Sequence, residues 1–506
     1  YSFWGEPPLA KLPHFRNTAL LCRKDKIPIH TGTVMSQLTH HKHSASSDRR
    51  AFLRQSGWTA GFLGLGRYLR ANETSTSSTR VIQPYGPLVR DKAGLLDLPK
   101  NFSYDVISRS GTLMADGMKV PGKFDDMATF AGKDGRIILI RNHEIALGQD
   151  SLGPFPKKQI PSHLDKNLLY DAGSKNETPH LGGTTTIVYN PVSGKTEKEF
   201  LSLAGTDRNC SGGTMPWGSW VTCEEPEDLH KGHRNRQHGY CFEVRADPQI
   251  GLQKAVALKA MGRFRHEAVA YDPGGGAVYL TEDRDDGLLY RFVPDRENDL
   301  SSGKLQAMCL KNHAAADLRN YQPKSKRMIT EGHEQPISWV DLEDPTAPKD
   351  DLRVQGFKKG AAKFARGEGI FYDKGAIYLC CTNGGPQKRG QIFRILPSSA
   401  QHPTASVELF LEPGKSDLLT SGDNLCVAPN GDLIICEDLV SPFSKEQLPH
   451  LRGVTPEGQI FTFGRNPDAK NKNEFCGSIF SPDGDILFVN IQNLDHTFAI
   501  RGPWRT

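Results

Sequence analysis

Arg208-Asn209-Cys210-Ser211-Gly212-Gly213 is followed by Pro216-Trp217-Gly218-Ser219-Trp220 and then by Thr222-Cys223-Glu224-Glu225. A thiol at Cys210 thus stands thirteen to fifteen residues ahead of Cys223-Glu224-Glu225, with glycines and tryptophans fixing the backbone between. Soft sulfur and hard oxygen donors placed together suit a transition metal beside a harder cation. The same stretch also reads as a buried cysteine in a glycine-rich turn followed by a solvated glutamate pair, because free Cys packs as a small apolar residue.

Acidic residues recur in comparable settings along the chain. Glu144 follows Asn142-His143 at the end of an apolar run, and Glu267 follows Arg265-His266 and enters another. Glu368 sits between Gly367 and Gly369, where backbone can crowd a ligand; Asp423 follows Ser421-Gly422; Glu437-Asp438 closes the apolar run 433–436. Calcium takes about six to eight oxygens, mostly carboxylate, and iron or zinc also accepts carboxylate. Each position has an ordinary alternative: a solvated strand end for Glu144, an ion pair with Arg265 for Glu267, turn chemistry for Asp423. One of Glu437 and Asp438 is expected to be structural. So many buried carboxylates cannot stay charged and unpaired, so cations must come from the protein or from metals. Among the basic residues of these motifs, Arg366 best suits a bidentate contact to phosphate oxygens. Arg208, Arg265 and Arg284 rank behind it, with ordinary salt bridges as the alternative. There is no G-x-S-x-G elbow, Walker A pattern, H-E-x-x-H or C-x-x-C pair, and the triple glycine at 274–276 lacks the context of a nucleotide loop.

The elements that must position these groups are short strands. With 50 Gly and 33 Pro in 506 residues and few helical patterns, the chain reads as all-β. A unit of strand, tight turn and strand recurs past residue 100: at 268–283, 369–385, 424–438 and 477–490, with a half-copy at 136–144. D-G, N-G or K-G turns join short runs rich in β-branched and aromatic residues. Similar sheets repeated about an axis make a β-propeller, and a β-sandwich is the main competitor. Second strands ending in Glu144, Glu282-Asp283, Asn383 or Glu437-Asp438 would then bring polar groups to one central channel. No window is apolar enough for a membrane-spanning helix. The ten cysteines are irregularly spaced, and several fall in apolar runs, which favours buried reduced thiols with Cys210 as the exception.

The net charge of +5 belongs to the front of the chain: residues 1–80 hold twelve Lys/Arg against four Asp/Glu, so nucleic-acid binding is not expected. Ser47-Asp48-Arg49-Arg50-Ala51-Phe52-Leu53 matches a twin-arginine export signal, with Arg49 and Arg50 as the pair. An ordinary basic amphipathic segment is the alternative. Met35 would set the pair at the usual depth, so 1–34 reads as upstream read-through without fixed structure, 35–75 as signal, and 76–506 as one propeller domain. Export of folded protein agrees with a metal loaded in the cytoplasm.

Arg208-Asn209-Cys210 through Glu225, Phe264-Arg265-His266-Glu267, Thr281-Glu282-Asp283, Arg366-Gly367-Glu368 and Gly422-Asp423 through Asp438 together resemble the PhoX-type alkaline phosphatases over roughly residues 100–500. That resemblance implies a six-bladed propeller with loop and short-helix insertions, a monomer, and two Fe³⁺ and three Ca²⁺ around a bridging oxo group. It implies hydrolysis of phosphate monoesters, and of some diesters, by a metal-bound oxygen nucleophile in the periplasm, at the cell surface or in secreted form. The partners it implies are small organic phosphate esters and the twin-arginine translocase. By position, Cys210 resembles the iron thiolate and Glu225 the iron carboxylate. Glu368 resembles a metal-binding Glu and Arg366 the catalytic substrate-phosphate arginine. Glu144, Glu267 and one of Glu437 or Asp438 resemble the remaining carboxylates. The polar insertion 148–180 departs from the family pattern, at the position of substrate-access loops. Rival readings are a calcium-dependent lactonase or esterase on a similar propeller, and a non-catalytic calcium-binding propeller.

Overall fold

The computed structural model describes residues 80–505, apart from 156–158, 174–177, 227–234, 401, 415–417, 439–447 and 469–472. Arg49, Arg50, Met35 and the leader boundaries lie outside the described residues.

The described residues form an all-β propeller of antiparallel sheets, most of them meanders in chain order. Phe124–Ala131, Ile137–His143, Gly182–Asn190 and Lys195–Thr206 make one sheet, and Asn209–Met215, Ser219–Glu224 and Cys241–Arg245 the next. His266–Asp272, Ala277–Glu282, Gly287–Arg296 and Asp299–Leu310 follow; Glu334–Asp341 then bridges to Ser406–Leu411, the outer strand of a sheet that begins with Gly367–Asp373. Gly422–Val427 and Phe475–Phe480 begin the remaining two. The early strand Ser103–Arg109 pairs with His496–Arg501, near the C-terminal end, so the final sheet is completed from the opposite end of the described chain. The tight turns are those the sequence announces. In Asp373-Lys374-Gly375-Ala376, Lys374 and Gly375 both have positive φ (45° and 88°), the geometry of a two-residue hairpin turn that follows strand twist.

The innermost strands are Phe124–Ala131, Asn209–Met215, His266–Asp272, Gly367–Asp373, Gly422–Val427 and Phe475–Phe480, and each touches the next around the axis, the last touching the first. They pack backbone to backbone. A Cβ on Gly213 would lie 1.9 Å from the Val269 carbonyl, and one on Gly369 would lie 2.7 Å from Asn424 Cα. Gly369 therefore serves the neighbouring strand, not the crowding of a ligand expected from sequence. Apolar clusters fill the space between sheets; Ile107, Met127, Leu139, Tyr189 and Phe488 join the last sheet to the first. The α-helix Leu352–Lys358 packs on the strand Gly287–Arg296.

Candidate metal centre

Every inner strand opens in the same way. Residues just before it, Lys123, Arg208, Arg265, Arg366, Ser421 and Glu474, accept a backbone hydrogen bond from Glu144, Glu225, Asp283, Thr382, Asp438 and Gln492 in turn. Each of those donors is the residue just past the second strand of the same sheet. The second residue of each inner strand is Asp125, Cys210, Glu267, Glu368, Asp423 and Cys476. Three tiers of equivalent positions thus converge on the axis. In all but the last sheet the tier of Asp125, Cys210, Glu267, Glu368 and Asp423 is the first of two bulge residues facing one partner. A bulge re-aims a side chain out of the pleat, here toward the axis. Lys123, Arg208, Arg366 and Ser421 hold left-handed φ of 48–53° although none is Gly. Such conformations are costly for residues with a Cβ and cluster where geometry is functional.

These residues line a cavity of about 280 Å³. Among the described residues its walls carry eight carboxylates (Asp125, Glu144, Glu225, Glu267, Glu368, Asp423, Asp438, Glu474) and four basic groups (Lys123, Arg208, Arg265, Arg366), with the thiols of Cys210 and Cys476. The basic groups compensate only some of the acids. Arg208 pairs with Glu144 and, at 3.1 Å, with Glu225. Arg265 reaches Glu225 at 2.7 Å and Asp283 at 3.1 Å. Arg366 makes a fork on Asp283, Nε to Oδ1 at 2.7 Å and Nη2 to Oδ2 at 3.1 Å, and lies 2.8 Å from Glu368. Against the opposing push of burial, Arg366 and Arg265 hold the Asp283 carboxyl down at about 2. Glu267, by contrast, is 1% exposed and neither carboxylate oxygen has a hydrogen-bond partner; Asp125 Oδ2 is likewise unpartnered.

Burial, then the crowd of like charges, sets the proton affinities. Burial first, then Glu368, Glu225, Asp423 and Asp125, raises the Glu267 carboxyl well above the ordinary range. Burial leads the same upward shift at Asp125, Glu368, Asp423 and Glu474. Glu225 is pushed up to about 8 by burial, partly offset by Arg265. Burial and the surrounding carboxylates raise the Cys210 thiol as well. Protein cations alone therefore do not support ionised ligands here; multivalent cations would. Donor atoms of Glu144, Cys210 and Glu225 lie within 4.8 Å of one another, as do those of Glu267, Glu368 and Asp423. One trio is mixed sulfur and oxygen and the other all oxygen, donor sets that suit a transition metal and a hard cation respectively.

Of the residues selected from sequence, Glu144, Arg208, Cys210, Glu225, Glu267, Arg366, Glu368, Asp423 and Asp438 all line the cavity. Glu437 does not. It accepts from Arg452 Nε at 2.9 Å and from the Thr420 amide at 3.1 Å, with His450 Nδ1 at 3.2 Å. Side chains alternate along a strand, so in each acidic doublet the first residue turns into its own sheet and the second toward the axis. Glu224 is held by His238 and the Gly239 amide, and Glu282 by Tyr290 Oη at 2.7 Å, while Glu225 and Asp283 face inward. Arg284 pairs with Asp350 at 3.2 Å, away from the cavity. Trp217 donates to Glu243 and Trp220 to Asn142, so both indoles have structural partners. Sequence reading named Asp283 only as a strand end facing the channel, and missed Asp125, Glu474 and Cys476. Setting Lys123-Phe124-Asp125 and Glu474-Phe475-Cys476 beside Arg208-Asn209-Cys210 would have found all three.

The family model described as alkaline phosphatase PhoX matches residues 83–495. Among solved structures, Pseudomonas fluorescens PhoX in complex with vanadate, a transition state analogue, aligns at 18% identity with a TM-score of 0.59, covering 82% of this chain and 97% of that one. A gluconolactonase of Xanthomonas campestris gives a TM-score of 0.38 at 12% identity, covering 83% and 99% of the two chains. The periplasmic gluconolactonase of Pseudomonas aeruginosa gives 0.36 at 14%, covering 78% and 90%. No curated protein sequence matches the chain.

Proposed function

The chain belongs to the PhoX alkaline phosphatase family, and on that premise we propose that its axial cavity holds iron and calcium and hydrolyses phosphate esters. Two Fe³⁺, three Ca²⁺ and a bridging oxo group are the complement the family resemblance implies. The observation that carries this reading is Glu267, buried without a hydrogen-bond partner in a ring whose equivalent positions are all Asp, Glu or Cys. The donor set fits: Cys210 and Glu225 would serve iron, and the all-oxygen trio of Glu267, Glu368 and Asp423 would serve calcium, with Glu144 and Asp438 completing the shell.

When bound, such ions supply Lewis acidity toward phosphoryl oxygens and activate water at neutral pH. The chain's own residues do the rest. Arg366 points its guanidinium into the cavity; Asp283 takes its Nε and Nη2 N–H groups and fixes its plane, which leaves the Nη1 edge, 3.5 Å from Asp438, to meet a tetrahedral anion. Arg208 and Arg265 add positive charge on the same wall and would offset charge that grows on the equatorial oxygens during in-line transfer. Preset donors need no reorganisation as the phosphoryl group moves.

The substrates in this reading are small phosphate monoesters, with diesters a secondary class. The same reading takes the sheets as six blades of one domain, 76–506, working as a monomer. It takes Arg49-Arg50 as the signal by which the twin-arginine translocase exports the folded chain to the periplasm, cell surface or medium. The test is purified protein assayed on p-nitrophenyl phosphate and bis-p-nitrophenyl phosphate, with iron and calcium measured on the same sample. Activity that tracks both metals is expected. An active enzyme without iron, or a metal-loaded protein inert on both esters, would overturn the assignment.

A further inference from the structure

We propose that Cys223, Cys241 and His266 form a second metal site, specific for a thiophilic closed-shell cation of the zinc(II) class and separate from the axial cavity. Cys223 and Cys241 face each other as partners on adjacent strands, and His266 comes from the inner strand of the next sheet. All three are fully buried, at 0% exposure. The two Sγ atoms are 3.6 Å apart, and Cys241 Sγ lies 3.3 Å from His266 Nδ1. With metal–sulfur bonds of about 2.3 Å and metal–nitrogen bonds of about 2.0 Å, a tetrahedral ion sets edges of about 3.8 Å and about 3.5 Å. The observed spacings sit a few tenths of an ångström inside those edges.

The imidazole is already set for ligation. His266 Nε2 lies 3.1 Å from the Gly262 carbonyl. A carbonyl only accepts, so Nε2 carries the proton and the Nδ1 lone pair faces the sulfurs. This is the outer hydrogen bond that orients metal-binding histidines. Phe264 stacks on the ring at 3.5 Å between centroids and fixes its plane. The surroundings are apolar, with Met215, Val221, Leu258 and Met261 in the same cluster. Two thiolates and a divalent ion form a neutral unit, so burial there leaves no uncompensated charge. The site would pin one sheet to the next beside Glu267, the neighbour of His266. It does not rest on the phosphatase reading.

The test uses the full chain expressed with zinc. Metal analysis of wild type, Cys241→Val and Cys223→Ala is combined with thiol titration in denaturant without reductant. About one zinc per chain, lost in both variants, and ten titratable thiols per chain are expected. X-ray absorption at the zinc edge should report sulfur together with imidazole; among its described lining residues the axial cavity offers no histidine. Eight thiols, with the lost pair mapped by peptide mass to Cys223 and Cys241, would mean a disulfide there and overturn the site. Ten thiols without zinc, zinc retained by both variants, or a zinc edge without imidazole would overturn it equally. If the variants do not fold, the wild-type thiol count, zinc content and edge spectrum still decide.

Discussion

If the axial cavity holds ions as proposed, stripping them should make folding stability fall with rising pH, opposite to the usual carboxylate behaviour. Glu225 shows the size of the effect. Its carboxyl moves from an ordinary value of 4.5 to about 8 in the ion-free fold, chiefly through burial. Because the folded chain holds that proton more tightly than the unfolded chain, its contribution is fully present below pH 4.5 and is lost as pH rises through about 8. At about 1.4 kcal/mol for each pH unit crossed, the loss is on the order of 5 kcal/mol. Asp125, Glu267, Glu368, Asp423 and Glu474 shift in the same direction and add to it. For a 506-residue chain, 5 kcal/mol corresponds to about 5 °C in Tm. Bound cations would replace the protons and remove the slope. The assay is thermal melting from pH 5 to 8 of protein stripped with iron and calcium chelators, beside the reloaded sample, with the difference between the two curves read out. An apo curve that stays flat or rises relative to the loaded one would refute the claim that these carboxyls need cations.

The remaining expectations separate catalysis from structure. Arg366→Ala should lower turnover on p-nitrophenyl phosphate by about 10²-fold or more while iron and calcium stay near wild-type levels; equal loss of both would make Arg366 a structural residue. Asp283→Asn removes the fork that orients Arg366, and should cost about 10-fold to 10²-fold in kcat/KM with little change in metal content, because Asp283 pairs with arginines. Glu437→Gln should lower stability by about 3–5 kcal/mol, since it leaves Arg452 buried without its charge partner. Activity per folded molecule should hold, whereas Asp438→Asn should lower activity at nearly constant Tm. Gly213→Ala places a Cβ 1.9 Å from the Val269 carbonyl and should abolish soluble protein or lower its Tm sharply, which expression level and melting both report.

Residue types and local patterns settled a good deal before any tertiary contact. Paired strand runs joined by Asp373-Lys374-Gly375 or Asn430-Gly431 announce hairpins, because their turn residues tolerate positive φ. The likeness among those hairpins announces a propeller. Cys210, Glu267, Glu368 and Asp423 were legible as ligand candidates because a carboxylate or thiol at the entrance to an apolar strand has no cheap burial. Sequence could not say which member of Glu224-Glu225, Glu282-Asp283 or Glu437-Asp438 faces the axis, since a one-residue change of register swaps the two faces. The inner-strand bulges fix that register, and they are seen only when each strand is paired. That Asp125 and Cys476 share one cavity also needed the closed ring, for they come from opposite ends of the propeller sequence and meet only when the last inner strand lies beside the first. Chemistry is written residue by residue, but convergence on an axis belongs to the closure of the sheets.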